Sequence, residues 1–125
     1  MILVDTSVWV DHLRHGDPIL RQRLQDDEIL IHPFVVGELA LGGMRQSSPA
    51  MGLLMTPREA TVASIEEVLA FTERHGLDGR GIGYVDVHLL VAARLTPGAS
   101  LWTRDRRLGA VAVEMGLSAD VGHRH

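Results

Sequence analysis

Short apolar runs alternate with helix-like segments along most of this chain, and the alternation restricts the folds open to it. Residues 1–4 and Ile29–Ile31 are short continuous apolar runs, and a helical pattern follows each of them. Leu101 and Trp102 centre another run, and residues 60–63 form a weaker one. Strands that alternate with helices predict an α/β domain with a mainly parallel central sheet and helices on both faces.

Capping residues indicate where the helices begin and end. Thr6 or Ser7 could cap the first helix, which should extend to about Leu13, and Asp17-Pro18 opens the second. The remaining helices are expected from Pro33 to Gly42-Gly43, from the Ser64 capping box to Gly76, from Tyr84 to Leu95 and from Asp105 to Met115, with one or two helical turns between Ala50 and Met55.

Size and composition are those of one globular domain, which we expect to span residues 1–125. The absence of cysteine excludes disulfides and thiolate metal sites and suits a reducing compartment. The first apolar run is too short for a signal peptide or a membrane span, so we expect a cytoplasmic protein with no membrane partner. The net charge of −4 argues against broad electrostatic attraction to nucleic acid.

Four carboxylates lie where apolar runs meet helices: Asp5, Glu38, Asp86 and Asp105. Asp5 and Asp105 directly follow predicted strands, and ligands of parallel α/β sheets bind beyond the carboxyl ends of the strands. Carboxylates in apolar surroundings are unfavourable unless they are paired, protonated or bound to a cation. Because Mg²⁺ and similar hard ions prefer oxygen ligands, a shared divalent metal site would explain all four acids.

Each acid also has a purely structural interpretation. Asp5 and Asp105 could be helix caps, Asp86 could favour the first turn of a helix through its dipole, and Glu38 could face solvent. The sequence permits convergence of the four side chains without demonstrating it. Four separate explanations at four junctions are less economical than one shared site.

A carboxylate site with Mg²⁺ or Mn²⁺ would suit phosphodiester hydrolysis. Asp5 and Asp86 are the expected direct or bridging ligands, and Asp105 would complete the site, often through water. Glu38 would act in the outer sphere, bind a second ion or position the attacking water.

Four segments in order resemble the motifs of the PIN-domain family, specifically VapC-type toxins of type II toxin–antitoxin systems. They are VDTSVW at residues 4–9, VGEL at 36–39, GIGYVDVHLL at 81–90 and LWTRDRRL at 101–108. Each segment alone is a weak signal, whereas the ordered set covers nearly the whole chain. Residues 44–63 carry no motif, so their fold is left open.

The resemblance implies a three-layer α/β/α PIN fold and a metal-dependent endoribonuclease that acts on cellular RNA such as tRNA, rRNA or mRNA. It further implies a homodimer inhibited by a cognate antitoxin protein. Asp5, Glu38, Asp86 and Asp105 would form the acidic site, and the Ser7 and Thr103 hydroxyls would orient carboxylates or waters.

Other polar and aromatic residues have two interpretations. Arg104, Arg106 and Arg107 flank Asp105 and could be solvated or could contact RNA phosphate. Trp9 could stack on a base, although packing in the core or a dimer is favoured. His12 and His15 could share a helical face, but a surface position is favoured over a metal site, and His123 and His125 fall in the terminal tail.

Two other functions remain open from the sequence. An α/β phosphatase or phosphotransferase could use Asp5 as its nucleophile, and covalent trapping of phosphate on Asp5 would support it. Ser7 counts against this, since a common phosphatase pattern places a second aspartate there. A noncatalytic RNA- or protein-binding PIN domain is the other alternative, although such a domain has no need for four mutually repelling acids.

Overall fold

The computed structural model describes residues 1–121, and His123 and His125 therefore lie outside the described residues. The elements in chain order are β1 (Ile2–Val4), α1 (Thr6–His15), α2 (Pro18–Gln25), β2 (Ile29–Ile31), α3 (Pro33–Leu41), α4 (Pro49–Leu54), β3 (Arg58–Glu59), α5 (Ile65–Arg74), α6 (Tyr84–Leu95), β4 (Ser100–Trp102) and α7 (Arg106–Glu114).

The four strands form one parallel sheet in the order β3-β2-β1-β4. In the central pairs, Ile2 lies opposite Ile29 and Val4 lies opposite Trp102. All residues of β1 and β2 are buried, as expected for strands covered on both faces. The predicted α/β class and parallel sheet are confirmed.

The strand order reverses at β1, which has β2 on one side and β4 on the other. Right-handed crossovers therefore place the connections from β1 to β3 on one face of the sheet and the connection from β3 to β4 on the other. Contacts of α1 with α3, and of α5 with α6, agree with these three layers. The crevice beyond the carboxyl ends of β1 and β4 is the switch point at which such folds bind ligands.

The longest helix, α6, packs as an interior element. Its residues from Val87 to Ala93 are all buried, and Leu89 and Leu90 are fully covered. This burial continues the core formed by Leu3, Leu30 and Leu101 in the central strands. Only the first turn of α6 reaches the strand-end crevice with partly exposed side chains, and that turn contains Asp86.

The third strand was predicted wrongly at residues 60–63. It is formed by Arg58–Glu59, which are both exposed and pair with Leu30 and Ile31 at the edge of the sheet. This strand is defined by its backbone pairing alone. Its side chains are exposed, so its sequence has no apolar pattern. Ala60 and Ala63 are buried, but the chain turns away after Ala60, and the Thr61 amide donates to the Thr96 hydroxyl at the end of α6.

The N-cap of α1 is Asp5, as the structural interpretation of this acid predicted, and Thr6, one of the two other expected caps, is the first helical residue. The predicted caps Asp17, Ser64 and Asp105 are all found, with Glu67 completing the Ser64 capping box. None of the helices within residues 1–121 has the length and apolar character needed to cross a membrane.

Candidate active site

Asp5 is a buried carboxylate at the end of β1, with only 6% of its surface exposed. Its Oδ1 accepts a hydrogen bond from the Thr6 amide at 2.7 Å. Its Oδ2 accepts from the Ser7 hydroxyl at 2.8 Å and from the Thr103 hydroxyl at 2.7 Å. Three donors offset the desolvation of the charge and fix the orientation of the carboxylate.

Asp105 is joined to the same network through Thr103. The Asp105 amide donates to Oγ1 of Thr103 at 3.0 Å, and the Arg104 amide donates to Oγ of Ser7 at 3.0 Å. Asp105 itself is exposed, and its Oδ1 caps α7 by accepting from the Leu108 amide. The sequence-based prediction that Asp105 caps a helix is therefore confirmed. In this position its carboxylate lies beside the end of β1.

Glu38 lies on α3 and is exposed. The hydroxyl of Thr6 donates to Oε1 of Glu38 at 2.6 Å, while the amide of Thr6 donates to Asp5. Thr6 thus connects two of the four acids. Sequence reasoning treated Thr6 only as a helix cap, and no spacing pattern could have revealed a contact across 32 residues.

Asp86 is half-buried in the first turn of α6, and its Oδ2 accepts from the Gly83 amide at 2.9 Å. Burial is the largest influence on this carboxyl and raises its pKa, while the hydrogen bond from Gly83 opposes the shift. The negative charges of Asp5, Asp105 and Glu38 each raise the pKa further. All four predicted acids are therefore close enough to interact electrostatically.

The four carboxylates lie in one region of the molecule but do not form a compact cluster. Among residues 1–121, no group of three histidine, cysteine, aspartate or glutamate side chains has the geometry of a ready-made metal site. Glu38, Asp86 and Asp105 each use one oxygen in a hydrogen bond with the described residues and keep the other for a further contact. The donor set is therefore all oxygen and fits a hard divalent cation.

The three arginines around Asp105 differ in their contacts. Arg104 forms ion pairs with Asp11 and Asp17, and its Cζ lies 5.8 Å from the centre of the Trp102 ring. Arg106 and Arg107 are exposed, and neither has an ion-pair partner among the described residues. Contact of any of them with RNA stays a prediction.

Two buried histidines lie near the first turns of α3 and α6. His32 is the N-cap of α3, its Nδ1 accepts from the Phe34 amide at 3.0 Å, and burial lowers its pKa to about 4, with His88 adding to the shift. Burial also lowers the pKa of His88, whose ring lies 6.2 Å from that of His32 and 4.7 Å from that of Tyr84. Sequence reasoning missed this pair because no periodic pattern links β2 to α6.

The remaining candidates have structural positions. Trp9 is in the core, with 3% of its surface exposed, as the favoured interpretation predicted. His12 accepts a hydrogen bond from the Asp17 amide between α1 and α2, whereas His15 is exposed. The pKa of His12 is lowered, and burial is the largest cause.

Comparisons with known proteins agree with this architecture. The family model of the PIN domain matches residues 2–114. Ribonuclease VapC32 of Mycobacterium tuberculosis, in strains CDC 1551 and H37Rv, is 48% identical over 118 residues, which cover 94% of this chain and 95% of the relative. The crystal structure of PAE2754 from Pyrobaculum aerophilum has a TM-score of 0.56 at 18% identity, covering 92% of this chain and 94% of the other, and so shares the fold.

The family match extends from β1 to the end of α7 and includes all four acids. The identity to a VapC protein extends over nearly the full length of both chains. This chain therefore belongs to the PIN-domain family, as a VapC-type member.

Proposed function

We propose that this protein is a metal-dependent endoribonuclease that hydrolyses phosphodiester bonds in cellular RNA and acts as the toxin of a type II toxin–antitoxin pair. The observation that carries the proposal is that hydrogen bonds through Thr6 and Thr103 tie Glu38 and Asp105 to Asp5 at the switch point of the sheet, where these three acids also raise the pKa of Asp86. The nearly full-length similarity to a protein named as a ribonuclease supports the reaction class.

A cation requirement follows from the charges at the site. Four carboxylates repel one another and also repel the phosphates of RNA. The described residues contain no ready-made metal site, and a bound cation would offset the repulsion among these acids. The all-oxygen donor set fits Mg²⁺ or Mn²⁺.

We assign the acids separate roles. Asp5 and Asp86 would hold the ion directly, and Asp105 would complete the site, often through water. Glu38 would contact the outer sphere or a second ion, or position the attacking water. When bound, the ion supplies a more acidic water and offsets negative charge on the phosphoryl and leaving oxygens.

The neighbouring hydroxyls keep this arrangement in place. Ser7 and Thr103 hold Oδ2 of Asp5, and Thr6 holds Glu38. Such oriented carboxylates lose little conformational entropy when they bind an ion.

The toxin assignment adds protein partners to the proposal. A cognate antitoxin would inhibit the protein in the cytoplasm, and the active form would be a homodimer. Leu41, Leu53 and Met55 leave 92%, 69% and 61% of their surfaces exposed, respectively. Exposed apolar side chains on α3 and around α4 are typical of surfaces that contact other proteins.

An RNA cleavage assay tests the proposed reaction. The purified protein should cleave a pool of bacterial RNA with Mg²⁺ or Mn²⁺ and should stop when EDTA is added. Asp5→Asn should remove the activity while circular dichroism shows an intact fold. Asp26→Asn is the matched control, because this exposed carboxylate at the end of α2 is outside the site.

A second assay tests the biological role. Expression of the wild-type protein should arrest growth, and co-expression of the protein encoded beside it should restore growth. Undiminished cleavage by folded Asp5→Asn, or cleavage that persists in EDTA, would refute the proposed mechanism. Covalent phosphate on Asp5 would support the phosphatase alternative instead.

A further inference from the structure

Arg107 has an unusual position among the arginines near the acidic site. A side chain at residue 81 would place its Cβ 2.6 Å from Nη1, 2.8 Å from Cδ and 3.1 Å from Cζ of Arg107. The Arg107 side chain therefore lies directly across Gly81. A side chain here would force Arg107 to shift, and the φ of +78° is one that L side chains rarely adopt.

This contact lies between two of the acids. Gly81 precedes by two residues Gly83, whose amide holds Asp86, and Arg107 follows Asp105 by two residues. Arg107, in the first turn of α7, therefore lies against the loop that enters α6 and that contains Gly81 and Gly83.

The charge of Arg107 is also available for a ligand. Arg104 is already compensated by Asp11 and Asp17, whereas Arg107 has no ion-pair partner within residues 1–121. A planar guanidinium forms bidentate hydrogen bonds with phosphate, and its packing across Gly81 reduces the rotamer freedom that binding would remove.

We propose that Arg107 binds a phosphate of the RNA substrate and that Gly81 is its positioning residue. The inference rests on the proposed ribonuclease function and deepens it. A cation at the loop that enters α6 would attract a backbone that the acids repel, and it would do so without reading the base sequence.

Removal of the guanidinium tests the binding role. With bacterial RNA as the probe and Mg²⁺ present, Arg107→Ala should lower kcat/KM about tenfold, mainly through KM, because a contact made equally in the ground and transition states affects KM. The salt dependence of log(1/KM) should weaken by about 0.7 for one lost phosphate contact on a single strand. Arg107→Lys should restore part of the loss.

Arg74→Ala is the matched control for charge. Arg74 is an exposed residue of α5, it also lacks an ion-pair partner among the described residues, and its removal changes the net charge equally. Its effect on KM should be within about twofold.

Gly81→Ala tests the positioning role, and Gly79→Ala is the control for backbone strain. Gly79 has a nearly identical φ of +75° but has no atom within 4 Å of an added Cβ. Gly81→Ala should raise KM about as much as Arg107→Ala does, whereas Gly79→Ala should not. In the Arg107→Ala background, Gly81→Ala should have no further effect on KM, because the Arg107 side chain that it would displace is already absent.

Thermal unfolding of each variant separates misfolding from lost binding. Equal KM values for folded Arg107→Ala and Arg74→Ala, with the wild type active, would overturn the inference and leave the ribonuclease proposal intact. So would an additive effect of Gly81→Ala in the Arg107→Ala background. Absence of RNA cleavage by the wild type in Mg²⁺ and Mn²⁺ would instead overturn the proposed function itself.

Discussion

The hydroxyl of Thr103 donates a 2.7 Å hydrogen bond to Oδ2 of Asp5, although 98 residues separate the two in the chain. The pairing of Val4 with Trp102 in adjacent parallel strands brings the next residue of each strand into contact. The same hydroxyl accepts from the amide of Asp105. One side chain therefore sets the positions of two acids.

Thr103→Val should lower kcat/KM for RNA cleavage by about 10- to 100-fold, as is typical when a residue that orients metal ligands is removed. It should reduce the free energy of unfolding by about 1–2 kcal/mol, because a hydrogen bond to a charged group is lost. Thr103→Ser should retain most activity. Thr72→Val is the matched control, because the Thr72 hydroxyl is also half-buried but bonds to the Val68 carbonyl in α5. Equal activity of Thr103→Val and Thr72→Val would rule out the positioning role.

Asp86→Asn should abolish cleavage and stabilise the metal-free protein at pH 7. Because the folded pKa of Asp86 is raised above its ordinary value of 3.8, the folded state retains a proton that the unfolded chain has released. The contribution of this carboxyl to stability therefore falls as the pH rises above that value. Asn removes the charge and still accepts the hydrogen bond from Gly83.

Urea unfolding at pH 7 and pH 4 measures this effect. The stability advantage of Asp86→Asn over wild type should be larger at pH 7 and should shrink toward pH 4, where the wild-type carboxyl is increasingly protonated. Asp26→Asn, outside the site, should show no such trend. An equal advantage at both pH values would contradict the raised pKa of Asp86, which burial and the neighbouring acids cause, as its source.

Mg²⁺ should stabilise the wild-type protein in a way that does not depend on RNA. A ligand that binds only the folded state adds about 2.7 kcal/mol when its concentration is 100 times its Kd. The Tm should therefore rise with Mg²⁺ but not with NaCl of the same ionic strength. Asp5→Asn should reduce the rise, whereas Asp26→Asn should preserve it. Equal shifts in the two variants would place the ion elsewhere.

The fold was predictable where local signals were strong. Buried strands such as Ile29–Ile31 appear as continuous apolar runs, and capping residues such as Ser64 mark helix boundaries. The edge strand Arg58–Glu59 was missed because its pairing with β2 involves only the backbone. Its exposed side chains leave no hydrophobic signal, so periodicity could not distinguish it from a loop.

The candidate site was predictable only in part for a related reason. Asp5 and Asp105 follow strands, and parallel topology places strand ends together, so their proximity could be expected. The contact between Thr6 and Glu38 depends on the packing of α3 against α1, which no local pattern records. The proximity of Arg107 to Gly81 likewise depends on the tertiary arrangement of α7 and the loop before α6.

His32 links the acidic site to the pH dependence of stability. It is fully buried, and its Nδ1 must remain unprotonated to accept from the Phe34 amide at the start of α3, the helix that contains Glu38. Burial and the neighbouring His88 lower its pKa from 6.5 to about 4. Between these values the unfolded chain binds a proton that the folded state excludes, so stability falls as the pH decreases.

His32→Asn should flatten this dependence, because an asparagine side chain can cap α3 without titrating. By linkage, His32 should account for about 2 kcal/mol of the stability that wild type loses between pH 7 and pH 5. The difference in the free energy of unfolding between wild type and His32→Asn should therefore change by about that amount over this range in urea titrations. His15→Asn, at an exposed position of α1, serves as the control and should follow the wild-type profile. Parallel profiles for wild type and His32→Asn would show that the buried imidazole does not limit stability in acid.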